Sequence, residues 1–243
     1  SGRSAPRFPS TFSVMTNDPF STDERRALAA LTADFTAKEI APNLNDWEDA
    51  ELIPREVHKA LGDAGLLGIG YAEEVGGSGG DSIDVTVLTE SLLGAGASGG
   101  AFASLFSHGI AIPHMIDAAN RRQVAGDDVG ADWLLDENIR PVLAGDKIAA
   151  LGVTEPDGGS DVVHLRTRAI PDGDDWIING AKTYITSGVR ADVVVVAART
   201  ADSGASGVSL FAVDTSLPGF EVTRKLRKMG WDCSDTAELA FVD

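Results

Sequence analysis

Apolar residues recur along this chain with a helical period at first and with a strand period later. Leu28, Leu31 and Phe35 stand at i, i+3 and i+7, one face of a helix, behind a Ser21-Thr22-Asp23-Glu24 capping box. Pro42 is expected to end that run. A second helix opens at Pro54, carries Val57 and Leu61 on one face, and stops at Gly65, which suits a left-handed cap. Residues 68–80 hold too many glycines for a helix. Asp81 reads as the next N-cap, ahead of Ile83, Val87 and Leu88. Residues 94–119 are small and apolar with almost no charge, the mark of helix buried on all sides. After Lys147 the runs become short and β-branched, at 148–153, 176–178, 182–186, 193–196 and 208–213. Asn179-Gly180 between two of them is a strong hairpin signal. Strands so short and so closely spaced read as a small barrel or sandwich. The pattern predicts an α+β chain, with an N-terminal all-α helical domain over residues 21–145 and a β domain over 146–243. The Ser-, Pro- and Thr-rich stretch 1–20 reads as a flexible arm or an expression leftover.

Composition and charge narrow the function. A chain of 243 residues with 43% hydrophobic residues buries a core without disulfide or metal staples. Lys and Arg number 20 against 37 Asp and Glu, a net charge of −17. Nucleic acid is therefore not an expected partner, and an anionic membrane surface would repel the chain. Residues 224–228, with four bases, are the exception. Five acids and no base lie in 126–137, which reads as a solvated loop and helix start. The single cysteine, Cys233, cannot form an internal disulfide, no apolar run approaches a membrane span, and no signal peptide is visible. A soluble, cytoplasmic protein is expected. The four histidines lack metal-ligand spacing, so no metal site is expected.

The segment that carries chemistry is Leu151-Gly-Val-Thr-Glu-Pro-Asp-Gly-Gly-Ser-Asp161, a strand end followed by a turn. Pro156 stiffens it, Gly158 and Gly159 let a ligand approach the backbone, and Thr154, Ser160 and N–H groups supply a nest for phosphate or a polar ring edge. Spacing alone is weak evidence and favours a polar turn that binds nothing. Beyond it come Trp176-Ile-Ile-Asn-Gly-x-Lys-x-Tyr-Ile-Thr-x-Gly188 and Lys228-Met-Gly-Trp-Asp-Cys-Ser-Asp-Thr-Ala-Glu-Leu-Ala-Phe241. In that order these motifs resemble the middle β domain of the acyl-CoA dehydrogenase family of flavoproteins. Gly65-Leu-Leu-Gly-Ile69, Glu73-Glu74-Val-Gly-Gly-Ser-Gly79 and Val142-Leu-Ala-Gly-Asp146 resemble its first half. The resemblance runs from about Ser21 to Asp243.

It implies a helical domain followed by a small middle β-barrel, with FAD as cofactor and an acyl-CoA as substrate. The reaction removes a proton from Cα and a hydride from Cβ, the hydride going to flavin N5. On this basis Tyr184, Ile185 and Thr186 form one wall of the flavin site, with the Thr186 hydroxyl near N5. Leu151, Val153 and Thr154 line the pyrimidine edge, and Gly159 and Ser160 face the cofactor and the CoA arm. The acyl chain passes Leu105, Phe106 and Ser107. The resemblance also implies an electron-transfer flavoprotein or similar acceptor, and a homo-oligomer, a dimer or tetramer, for the full-length protein. The catalytic base is a glutamate of a C-terminal helical bundle that this chain does not reach, so no catalytic residue is assigned here and the chain alone is expected to be inactive. Residues 120–137 look like an acidic insertion, and Ser187-Gly188 stands where Asn-Gly is commoner. Other readings stay open. Thr186 is also an ordinary strand threonine by pattern, Glu155 is expected to hold the turn, and Cys233 to be packed. Residues 224–228 form either a solvated loop or a patch near the CoA phosphates. A same-scaffold flavin oxidase or monooxygenase and a non-catalytic binding or scaffolding protein are the rival functions.

Overall fold

A computed structural model describes residues 20–202 and 204–243. The arm expected over 1–20 lies outside these, apart from Phe20.

Helices fill the first half: α1 (Asp23–Phe35), α2 (Leu44–Ala50), α3 (Arg55–Asp63), α4 (Ser82–Gly94), α5 (Gly99–Leu105), α6 (Ile112–Val124), α7 (Asp128–Leu134) and α8 (Arg140–Leu143). The N-cap of α1 is Thr22, one residue later than the expected box, and its hydroxyl accepts from Arg25 N. Pro42 does not end the helical run. The chain continues through a π turn (Thr36–Ile40) and a 3-10 turn (Ala41–Asn43) into α2. Pro42 falls in the first turn of that 3-10 segment, where a missing N–H costs little. Asp81 caps α4 as expected, in a reciprocal box with Asp84. Among the described residues no helix is long and apolar enough to cross a membrane.

Strands fill the second half: β1 (Ala149–Gly152), β2 (Arg168–Asp172), β3 (Asp175–Thr186), β4 (Val193–Arg199), β5 (Val208–Asp214), β6 (Phe220–Lys225) and β7 (Thr236–Phe241). They form one curled sheet, a half-barrel, in the order β1-β4-β2-β3-β7-β6, with β5 also paired to β4. The expected hairpin at Asn179-Gly180 is not there. The turn is Gly173-Asp174, between paired Asp172 and Asp175, and Gly173 has φ +64°. Asn179 and Gly180 lie inside β3. Gly180 is needed because a Cβ there would sit 2.7 Å from Thr167 Cα.

Strand β4 is buried on both faces, which explains its unbroken valine run. Val193 and Val195 pack on Ile112, Met115 and Leu143 of the helical half. Val194 and Val196 face the interior of the curl with Ile185, Leu239 and Phe241. A third core, around Ile40, Leu61, Leu92 and Leu105, is purely helical except for Cys233, which the β half inserts into it.

Candidate functional site

The turn after β1 is shaped from inside by a buried ion pair. Glu155 Oε1 accepts from Lys182 Nζ at 2.8 Å and from Thr167 N at 2.9 Å, while Oε2 accepts from Arg166 N at 2.6 Å. Lys182 is fully buried and also donates to Val153 O at 3.1 Å. Burial alone would raise the Glu155 pKa, but the hydrogen bonds from Lys182, Thr167 and Arg166 outweigh it and hold the carboxyl down at about 2. A carboxylate so engaged points into the turn and fixes Val153 and Thr154. Lys182 was missed in the sequence. Its flanking residues, Ala181 and Thr183, carry no signal that it faces inward.

The same strand carries the second element of the site. Pairing of β3 with β7 slips between Lys182 and Ile185, a bulge, and Tyr184 there has φ +59° and is 70% exposed. The slip turns the Tyr184 ring outward from the strand. Thr183 N donates to Thr154 O at 2.9 Å, so the bulge and the turn lie edge to edge. Leu151, Val153, Thr154 and Thr186 are half-buried along this seam, and Gly159 and Ser160 are exposed. A Cβ on Gly159 would meet Thr154 Cγ2 at 3.3 Å, so the turn folds closely on itself. The amides of Thr154, Gly159 and Ser160 have no partner among the described residues and remain available as donors. An exposed aromatic ring, a half-buried hydroxyl and free N–H groups fit a flat ring with a polar edge.

Not every expected residue joins them. Ile185 is 2% exposed, with its side chain in the core of the curl, so only its backbone can face the seam. Leu105 is a helical core residue, 1% exposed, and does not line the cleft beside α5. Phe106 does, in a space of about 440 Å³ with Leu66, Tyr71, Val85 and Phe102. Ser107 is buried and bonded to the β half. Cys233 is packed in the helical core, and burial together with the Glu48 carboxylate pushes its thiol up to about 12. In the basic stretch, Lys225 pairs with Glu51 and Lys228 donates to Ser234 O. Among the described residues no cluster of three His, Cys, Asp or Glu could hold a metal ion.

Sequence patterns of the acyl-CoA dehydrogenase N-terminal domain and of the acyl-CoA dehydrogenase middle domain match residues 22–125 and 150–243. The mitochondrial long-chain specific acyl-CoA dehydrogenase of Mus musculus is 40% identical over 212 residues, 86% of this chain and 46% of its own length. A crystal structure described as a probable acyl-CoA dehydrogenase from Mycobacterium abscessus is 55% identical, with a TM-score of 0.85 over 92% of this chain and 56% of that one. A glutaryl-CoA dehydrogenase from Mycobacterium smegmatis, solved in complex with FADH2, is 29% identical with a TM-score of 0.73, over 91% of this chain and 53% of its own. The chain thus spans about half the length of the relatives it matches. Both halves, in order and in one fold, are those of FAD flavoproteins, and the chain belongs to the acyl-CoA dehydrogenase family.

Proposed function

We propose that this chain forms the helical and β domains, residues 21–145 and 146–243, of an FAD-dependent dehydrogenase acting on an acyl-CoA thioester. The observation that carries this reading is the seam between turn and bulge. Thr183 N on Thr154 O holds the two together, and Tyr184 is exposed beside it. Bound there, FAD supplies a hydride acceptor. The chain's own residues would do the rest. Tyr184 and the Ile185 backbone would flank the ring, and the amide of Thr154 and those of Gly159 and Ser160 would donate to the cofactor's polar groups. The Thr186 hydroxyl would donate to the ring edge. Ser160 would also face the CoA arm, with Phe106 toward the acyl chain. The base that takes the α-proton is assigned to the part of the relatives beyond this chain, and Glu155 is excluded from that role by its buried partners. An electron-transfer flavoprotein as acceptor, a dimer or tetramer, and a cytoplasmic location complete the reading. The lone free cysteine supports a reducing compartment, and one solved neighbour is described as an electron transferring flavoprotein.

The test is stopped-flow bleaching of the flavin band in the full-length protein, without oxygen and with saturating acyl-CoA. Losing one preorganised donor costs on the order of 2–3 kcal/mol. Thr186→Ala is expected to slow reduction by about 30- to 150-fold, and Thr186→Ser to keep most of the rate. Wild-type rates in both variants would show that Thr186 is only a strand threonine. A wild-type protein that takes up no FAD would overturn the function.

A further inference from the structure

Ser187, directly after Thr186, is fully buried and has φ +60°. That backbone region is sparsely populated by residues other than glycine, which enters it without steric cost. A serine held there implies that its side chain is needed. Ser107, in the loop after α5, donates to the Ser187 hydroxyl at 2.9 Å, and Ala149 O on β1 lies 3.3 Å from the same Ser107 oxygen. The Ser187 amide donates to Asp235 O at 3.0 Å, and its carbonyl accepts from Arg190 N and Ala191 N. The residue is thus anchored at its backbone within the β half and at its side chain to the helical half. One residue back is the hydroxyl assigned to the flavin edge. One residue before Ser107 is Phe106, assigned to the substrate.

We propose that Ser187 is a positioning residue, whose hydroxyl bond to Ser107 sets the placement of Thr186 against the α5 loop and so aligns the flavin wall with the substrate side. This rests on the FAD reading above. Ser187 touches neither cofactor nor substrate and acts through Thr186. Its left-handed backbone makes the link stiff. Rotating the peptide after Ser187 would break the bonds its carbonyl accepts from Arg190 N and Ala191 N and the bond from Gly188 N to Ile185 O.

The experiment uses the full-length protein loaded with FAD, in Ser187→Gly, Ser107→Ala and the double variant. Visible circular dichroism of the bound flavin reports ring orientation, and stopped-flow reduction gives the rate at saturating acyl-CoA. Each single variant is expected to change the flavin dichroism and to slow reduction by about tenfold, with KM for the acyl-CoA changed less than twofold. The double variant is expected to be slowed by much less than the product of the single effects, because the bond between the two hydroxyls is common to both, while the contacts of Ser187 with Ser104 O and of Ser107 with Ala149 O are not. Ser107→Ala leaves the backbone at 187 untouched, so its result stands even if Ser187→Gly folds poorly. Single variants with wild-type dichroism and rate overturn the inference, and so do effects that multiply in the double variant. Failure of the underlying reading is distinct: the wild-type protein itself would then take up no FAD, and both would fall together.

Discussion

His58 and His108 lie in the helical half with 4% and 6% of their surface exposed. Burial pulls both down, His58 to about 3 with help from the Arg190 charge, and His108 to about 4. Both are neutral in the folded protein, whereas the unfolded chain takes up protons near pH 6.5. The unfolded state therefore binds more protons below that pH, and stability rises with pH. The stabilising contribution is complete above 6.5 and is lost as pH falls toward 4 and 3. One unit below 6.5 costs about 1.4 kcal/mol per histidine. Urea unfolding at pH 7.5 and 5.5 should differ by about 3 kcal/mol from these two groups, and His108→Gln should remove about half of that difference. At this scale the outward residues of the candidate site are plainer in the sequence than the inward ones. The Thr154 turn and Tyr184 stand out by type and order. Lys182 does not, because a lysine in a strand ordinarily faces water, and its burial depends on Glu155 27 positions earlier. The inward facing of the Ile185 side chain is hidden for a related reason. The bulge at Tyr184 breaks the alternation that assigns side chains to faces.

Among the elements, β3 shows how a local signal loses to packing. Asn-Gly is a hairpin dipeptide by preference, yet Gly180 sits mid-strand because Thr167 crosses close above it. Gly180→Ala would drive a Cβ to 2.4 Å from Thr167 Oγ1 and 2.7 Å from its Cα. One of those atoms is backbone, so a rotamer change cannot relieve the clash, and a loss of about 1–3 kcal/mol of unfolding free energy is expected, read from urea unfolding. Gly173→Ala would meet no neighbour within 4 Å and would only strain the turn backbone. Pro42 makes the same point in reverse. A residue that breaks helices in isolation is accommodated where a π turn and a 3-10 turn shift the hydrogen-bond register. The caps at Asp81 and Gly65 were legible because they depend on a few adjacent residues alone.

Across the whole molecule, the change from a helical to a strand period near Asp146 was visible in the sequence, but the bonds between the halves were not. Arg190 follows β3 and reaches into the helical half. Its guanidinium pairs with Asp235 at 2.6 Å and donates to Ser104 Oγ at 2.6 Å and to Ile53 O at 2.7 Å. The two charged side chains are 7% and 0% exposed. Arg190→Met would leave Asp235 buried without its cation, a loss of about 3–5 kcal/mol in urea unfolding followed by far-ultraviolet dichroism. Arg190→Lys should recover little, since an ammonium cannot present donors in three fixed directions. The place of β7 bears on something else, the order in which the protein can assemble as it is synthesised. Residues 236–241 fill the slot between β3 and β6, pairing Ala181 with Ala240 on one side and Glu221 with Ala240 on the other. Until they leave the ribosome, both neighbouring strands keep an open edge. The helical half, built mostly on contacts closer in sequence, waits only for Val193, Val195 and Cys233 to fill its cores. The nascent chain thus spends an interval as a helical body whose cores are not yet complete, trailing an unfinished sheet, and in that interval a chaperone or a second nascent chain would find two strands to bind.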